Sequence, residues 1–323
     1  MKAAVIYNKG EMPQYTDFPE PEIENDEQIL MTVKASAIKH LDKSKASGKH
    51  YSSAADNKNG KIPGGDGVGV LADGTRVYAL GVNGMMAEKA IVEKRRMVKL
   101  PEGIDNNIAA SLPNAVAGSA IALRFRAGMQ KGETVLINGA TGFTGKVAVQ
   151  IAKYYGAKRV IAIGRNGQSL QSLLALGVDE IISVRQDDEA FIAQIKKIHN
   201  ETPIDIIIDY LWGHTAELLL DALKGTGSYT HKTRFVSIGA MSGDNIQLSA
   251  QTLRSFDLQL SGSGLGSWSR EEVEKLFKEI LPEMFELAAS GQLKVETIDV
   301  KLEDIEKLWE MDVEGGKRLV VTM

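Results

Sequence analysis

The stretch VLINGATGFTGKVAVQ, residues 135–150, carries two overlapping phosphate-binding patterns. Ala140 to Lys146 reads A-x-x-x-x-G-K, close to a nucleoside-triphosphate P-loop, whereas Gly139 to Gly145 reads G-A-x-G-x-x-G, a dinucleotide-binding turn. A P-loop needs Ser or Thr after its lysine, because that hydroxyl holds the magnesium ion that bridges the phosphates. Val147 stands there instead. The apolar run IDIIID, ending in Asp209, imitates a Walker-B strand, but any buried parallel strand with a terminal Asp does the same. The dinucleotide reading asks for more and finds it. TVLIN reads as a strand, the glycines turn the chain, and GKVAVQIAKYYGA continues at helical spacing. Backbone N–H groups and the positive end of that helix then face a pyrophosphate. Gly139, Ala140, Thr141, Gly142, Phe143, Thr144 and Gly145 form the candidate cradle, with Gly142 allowing close backbone approach and Gly145 close packing of the helix.

The next apolar run, RVIAIG, is followed by GRN at residues 164–166. In a dinucleotide-binding unit an acidic residue at this point grips the ribose 2′-hydroxyl of NAD. Arg165 offers a guanidinium instead, suited to a 2′-phosphate and to stacking on adenine, so the expected cofactor is NADP(H). An ordinary solvated loop arginine is the competing reading.

Further out, EIISV, IDIIID and RFVSIG alternate with stretches at helical spacing such as DEAFIAQIKKIHN, which argues for βαβ units on a doubly wound parallel sheet. The first hundred or so residues differ: short alternating runs such as QILMTVKASAI and RVYALGV, punctuated by Gly, Pro and Asp, read as a β-rich domain. SREEVEKLFKEILPEMFELAASGQL is amphipathic with Pro282 expected to kink or break it, and the closing KRLVVTM reads as a strand that rejoins the first domain. With 323 residues, 43% of them hydrophobic, the chain is long enough for two packed domains. The balance of 38 basic and 42 acidic residues leaves a net charge of −4, interspersed, which disfavours nucleic acid and anionic membranes as partners. With no cysteine, disulfides, thiolate metal sites and cysteine nucleophiles are excluded. The apolar part of MKAAVIYNKG is too short for a signal peptide, and no run approaches the roughly 18 apolar residues of a membrane helix, so a cytoplasmic location is expected.

The chain resembles the medium-chain dehydrogenase/reductase superfamily, and within it the zinc-independent quinone oxidoreductase branch. The residues carrying the likeness are IPGGDGVGVLADGTRVYAL, AEKAIVEKRRMVKLPEGI, the long run from AASLPNAVAGSA through VIAIGR, VSIGAMSG and GGKRLVVTM. The resemblance implies an α/β fold with a GroES-like β-rich substrate domain, residues 1–115 and 257–323, and a Rossmann-type doubly wound parallel-sheet cofactor domain, residues 116–256. It also implies an active-site cleft between them and a homodimer. By family position Ser119, Ile238, Gly239 and Gly264 would border the nicotinamide.

Zinc alcohol dehydrogenases of this superfamily place a cysteine in the region here written IKHLD, a histidine in PGGDG and a further cysteine before the cofactor domain. The counterparts implied here are Lys39, Gly65 and a stretch without cysteine, so no metal is expected. The five histidines, at 40, 50, 199, 214 and 231, form no ligand spacing. Without a Lewis acid, hydrogen-bond donors must polarise the substrate oxygen, which suits hydride addition to a quinone or an α,β-unsaturated carbonyl better than alcohol oxidation. The relatives usually carry asparagine where Lys39 stands. Two readings of Lys39 are open: an ammonium that stabilises a developing oxyanion, or part of a solvated basic turn, KHLDKSK. His40 is a candidate for pyrophosphate contact or proton donation, and Tyr51 for donation to a substrate carbonyl or stacking on a quinone ring. Asp42 and Asp66 are read as structural. The alternative function is an NADPH-binding structural or regulatory protein with little turnover.

Overall fold

The computed structural model describes residues 1–50, 59–225, 227 and 229–323. The chain divides into two compact units, Met1–Pro113 together with Phe277–Met323, and Asn114–Leu276.

In the first unit β1 (Lys2–Val5) pairs antiparallel with β2 (Gln14–Asp17). β3 (Gln28–Ala37) leads into the short helix α1 (His40–Ala46). β4 (Asp66–Val70), β5 (Arg76–Gly81) and β6 (Lys89–Lys99) follow, each antiparallel to its predecessor in the sheet, and β3 pairs with both β4 and β6, so these four strands close on themselves. Met31, Val33, Val77, Ala79, Met85, Ala90 and Val92 make one buried cluster from these strands and the β5–β6 connection. The glycines of DGVGV are what let β4 lie so close to β3. A Cβ on Gly67 would stand 2.7 Å from the Ala35 carbonyl oxygen, and one on Gly69 would stand 2.6 Å from Met31 Cγ and meet the Thr32 carbonyl oxygen.

α2 (Asn106–Val116) begins in the first unit and continues as a π-helical run, Ala117–Arg126, in the second. The stretch Asn106–Arg126 is long and apolar enough to cross a membrane, which the sequence reading did not anticipate, yet 78% of its apolar window is buried in protein, as in a core helix. Strands and helices then alternate: β7 (Thr134–Asn138), α3 (Phe143–Tyr154), β8 (Arg159–Gly164), α4 (Gly167–Ser172), β9 (Glu180–Ser183), α5 (Asp188–Glu201), β10 (Ile206–Asp209), α6 (Gly213–Ala222), β11 (Thr233–Ser237), α7 (Ala250–Ser255) and β12 (Leu258–Gly262). The strands are parallel throughout, in the order β12-β11-β10-β7-β8-β9. Chain direction through the sheet therefore reverses between β7 and β10, the switch point where doubly wound sheets bind ligands. Leu136, Ile161, Ile207 and Phe235 from the strands pack with Phe191, Ile195, Leu219 and Leu220 from α5 and α6.

The expected return to the first domain at residue 257 falls later, at Phe277, because β12 pairs parallel with β11 and completes the second unit's sheet. α8 (Arg270–Lys275) starts at a capping box between Ser269 and Glu272. A π-helical turn, Leu276–Ile280, then precedes α9 (Leu281–Ala289), whose first turn holds Pro282. Proline has no N–H to continue the ladder, and the helix changes register there rather than ending. β13 (Thr297–Lys301), α10 (Ile305–Leu308) and β14 (Arg318–Thr322) close the first unit, with β14 parallel to β13 and antiparallel to β3.

Two alanine substitutions separate close packing from open space in this motif. Gly69→Ala should lower the unfolding free energy by about 1–3 kcal/mol through overpacking. Gly65→Ala, whose Cβ would meet nothing within 4 Å among the described residues, should leave it unchanged. Urea unfolding of the two variants beside the wild type measures both.

Candidate functional site

The carboxyl ends of β7 and β10 carry most of the candidate cofactor residues. Asn138 and Asp209 are register partners at those ends, and the Asn138 side-chain amide donates to Asp209 at 2.8 Å. From there Gly139 turns with φ +86°, and the N–H groups of Gly139 and Ala140 both donate to the Ile163 carbonyl, at 3.1 and 2.9 Å. Gly142 is the N-cap of α3 in extended geometry, so the first N–H groups of a twelve-residue helix open at the glycine turn. Gly145 is required by packing: a Cβ there would stand 2.6 Å from Ala140 Cα. Thr141 lies against Gly164, the last residue of β8, and Arg165 follows it on the exposed surface.

Other candidates gather on the same end of the sheet. Ile238 and Gly239 both donate their N–H to the Asp209 carbonyl, at 2.8 and 3.4 Å. Ile238 and Thr144 both approach Gly118, the neighbour of Ser119. Ser119 is fully buried in the π-helical run, and its Oγ donates to the Ala115 carbonyl at 2.7 Å and so accepts from the Tyr210 hydroxyl at 2.9 Å. Burial pushes the Tyr210 phenol well above its ordinary range, so it remains a neutral donor. Gly264 lies beyond β12, with its N–H on Ser267 Oγ at 2.9 Å.

The connection from β10 to α6 was not singled out from sequence. Asp209 is fully buried, and its carboxylate accepts from the Leu211 N–H at 3.0 Å, the Trp212 N–H at 3.1 Å and Asn138. Burial moves its carboxyl upward, while the backbone N–H groups of Leu211 and Trp212 and the Asn138 amide work the other way. Trp212 is held at φ 55°, ψ −155°, a conformation that L-residues rarely adopt and that costs of order 1–3 kcal/mol. The turn it makes sets Leu211 and Tyr210 against Gly139. The pattern fits a dinucleotide pyrophosphate: a turn that tolerates no Cβ at Gly145, a helix N-terminus, and a buried Asn138 Oδ1 without a partner among the described residues.

In the first unit Lys39 is neither solvated nor free. It is the N-cap of α1 and 3% exposed, and its ammonium meets three acceptors: Asp66 Oδ1 at 2.6 Å, Asp42 Oδ2 at 3.1 Å and the Ala37 carbonyl at 3.1 Å. The reading of KHLDKSK as a solvated basic turn is overturned for this residue. Asp42 also accepts the Lys39 backbone N–H at 3.0 Å, which completes a capping box. Burial opposes the ammonium, but Asp42 and Asp66 outweigh it and raise the lysine above its ordinary value. Tyr78 donates its hydroxyl to Asp66 Oδ2 at 3.0 Å, and burial followed by the Asp66 charge holds that phenol neutral. Arg318, also buried, is pulled down to about 10 by desolvation against the attraction of Asp42 and Asp66, and remains charged near neutrality. Two cations and two carboxylates thus share one buried cluster. Neither Tyr78 nor Arg318 was marked in the sequence, though a lone arginine opening the apolar strand RLVVT is a signal that was available.

His40 begins α1 with an exposed side chain, held below its usual range by desolvation and then by the Arg318 and Lys43 charges. Tyr51 lies outside the described residues. The donor set does not suit zinc: the chain has no cysteine, and among the described residues no three His, Asp or Glu are placed to hold a metal. Lys39 itself occupies the space between the two carboxylates that a cation would need.

The family described as "Zinc-binding dehydrogenase" matches residues 144–281, a range containing neither Lys39 nor Gly65. The "Quinone oxidoreductase" of Sus scrofa is 28% identical over 263 residues, 79% of this chain and 76% of the relative. A protein of Emericella nidulans named "Probable NADPH-dependent quinone reductase" is 24% identical over 96% of both chains. Among solved structures, the quinone oxidoreductase of Thermus thermophilus, described with its NADPH complex, superposes with a TM-score of 0.82 at 27% identity and covers 100% of both chains. With the reversing parallel sheet, the glycine turn and the closed β-rich unit, these matches support the medium-chain dehydrogenase/reductase superfamily, in its quinone oxidoreductase-like branch, as what the chain is similar to.

Proposed function

We propose that this protein is an NADPH-dependent oxidoreductase that transfers hydride to a quinone or an α,β-unsaturated carbonyl without zinc. The observation carrying this reading is the cradle at the β7–β10 switch point, where Gly139, Gly142 and Gly145 open backbone and helix end to a pyrophosphate. Arg165, exposed just past β8 and beside the Gly164–Thr141 contact, is the residue for a 2′-phosphate. Relatives whose names include NADPH and quinone reductase support the same assignment. When bound, the nicotinamide supplies the hydride. The quinone takes up that hydride and a proton and leaves as the hydroquinone; an enone gains hydride at its β-carbon and a proton at the α-carbon.

The first unit's part is electrostatic. All three N–H bonds of the Lys39 ammonium have acceptors, so it acts through its fixed charge rather than by donating to a substrate oxygen. The same saturation favours the second reading, an NADPH-binding protein with little turnover. NADPH oxidation, followed by absorbance with a panel of quinones, enones and enals, separates the two: saturable turnover supports the enzyme, and tight NADPH binding with an inert panel supports the binder. The homodimer implied by the resemblance belongs to this reading, and sedimentation measures it.

Arg165→Ala should cut the preference for NADPH over NADH by about tenfold to a hundredfold, the worth of one charge-assisted hydrogen bond. Fluorescence titration of both cofactors reads it, and an unchanged ratio removes the 2′-phosphate assignment. Lys39→Met strips the ammonium from two buried carboxylates and should cost about 3–5 kcal/mol in urea unfolding. Adding Asp66→Asn should cost less than the sum of the two single changes, because both act on one ion pair.

A further inference from the structure

Within the first unit a cavity of about 210 Å³ opens beside the buried charge cluster. Asp42 lines it, and so does Gly65, one residue before Asp66. Ile62 and Val82 give it apolar wall, while Lys9, Lys45 and Lys61 are its cations. Pockets for drug-sized ligands run to about 300–1,000 Å³, so this one suits a single ring or short unsaturated chain.

Among the described residues its charge is unbalanced. The Asp42 carboxylate is answered within the cluster by Lys39 at 3.1 Å and by the nearby Arg318 charge. Lys45 and Lys61 form no ion pair among the described residues. The positive field reaches the neighbouring histidines: desolvation and then Lys45 hold His50 below its usual range, and Lys43 helps to hold down His40. The cavity also keeps a space that the described residues do not fill. Gly65 is exposed, its φ is not left-handed, and a Cβ on it would meet nothing within 4 Å among the described residues, so none of them calls for glycine there.

We propose that this cavity is the substrate pocket of the oxidoreductase described above, and that its substrates are acidic: a quinone or enone bearing a carboxylate, sulfonate or phosphate held by Lys45 and Lys61. The proposal rests on the quinone or enone reductase reading. A neutral ring gains only the apolar contact with Ile62 and Val82, whereas an acidic one also neutralises the two lysines that have no ion pair among the described residues.

The test compares kcat/KM for naphthoquinone sulfonate with that for menadione, in the wild type and in Lys45→Gln/Lys61→Gln. The sulfonate-to-menadione ratio should fall about three- to tenfold in the double variant, as partly exposed ion pairs would give. In the wild type the same ratio should decline as salt is raised. A ratio that is the same in both proteins overturns the proposal. Gly65→Leu should raise KM for both quinones with an unchanged unfolding midpoint, and wild-type KM in that variant also overturns it. If the wild type reduces neither quinone, the reductase reading fails, and the pocket is tested by calorimetric titration of naphthoate. Binding that weakens in both variants keeps an anion site at this cavity, and no binding, or equal binding in all three proteins, removes it.

Discussion

The ammonium of Lys39 sits 2.6 Å from one carboxylate and 3.1 Å from another, with almost no water in contact, and the first unit is arranged around that fact. A buried charge without partners costs several kcal/mol, so each member constrains the others. Asp66 begins β4, Tyr78 lies in the middle of β5, Asp42 is in the first turn of α1 and Arg318 begins β14. The cluster therefore ties together strands that meet only if the closed β3–β6 sheet and the returning C-terminal strand are both in place. Ser36 extends it, donating its hydroxyl to the Asp66 carbonyl at 2.9 Å. Hydrophobic clusters set how tightly the unit packs, whereas this ionic cluster sets which elements must be adjacent.

The second unit solves a different problem, how to pack backbone closely at the carboxyl end of its sheet. Omitting Cβ atoms at Gly139 and Gly145 lets Leu211 and Tyr210 lie against the first and the Gly139–Ala140 backbone against the second, while the chain bends at Trp212 into an unfavourable conformation. Asp209 makes that bend sustainable. Its carboxylate collects the Leu211 and Trp212 N–H groups that a strained turn would otherwise leave buried and unpaired. The edge contact between Trp212 and Phe235, with ring centroids 6.1 Å apart, holds the same turn from the core side.

Much of this was legible in the sequence. The parallel sheet follows from β-branched runs recurring between helical stretches, and the cradle from a glycine spacing that lies between a strand and a helix. What the sequence concealed depends on side chains meeting across long separations. Lys39 reads as one of four lysines or histidines in KHLDKSK, because nothing local reveals that Asp66, 27 residues on, will close over it. Asp209 looks like a strand terminus, since two of its three donors come from a turn whose φ angles no propensity predicts and the third, Asn138, lies 71 residues earlier in the chain. The second boundary was misplaced for a related reason: LQLSG is too short and too polar to announce that it completes a parallel sheet.

The substitution of Lys39 for a metal-ligating residue, as the resemblance aligns it, changes more than metal content. A zinc ion brings two charges and keeps an open coordination position for substrate, whereas an ammonium brings one charge and three directed donors. Here two of those donors meet carboxylates and the third a backbone carbonyl, so the charge is retained while the open position is lost. Under the function proposed above, polarisation of a substrate oxygen would come from groups outside the cluster. Acceptors already activated by conjugation need no such ligand. Because Lys39 is part of the chain, the two carboxylates that would otherwise repel one another are balanced as soon as the chain closes.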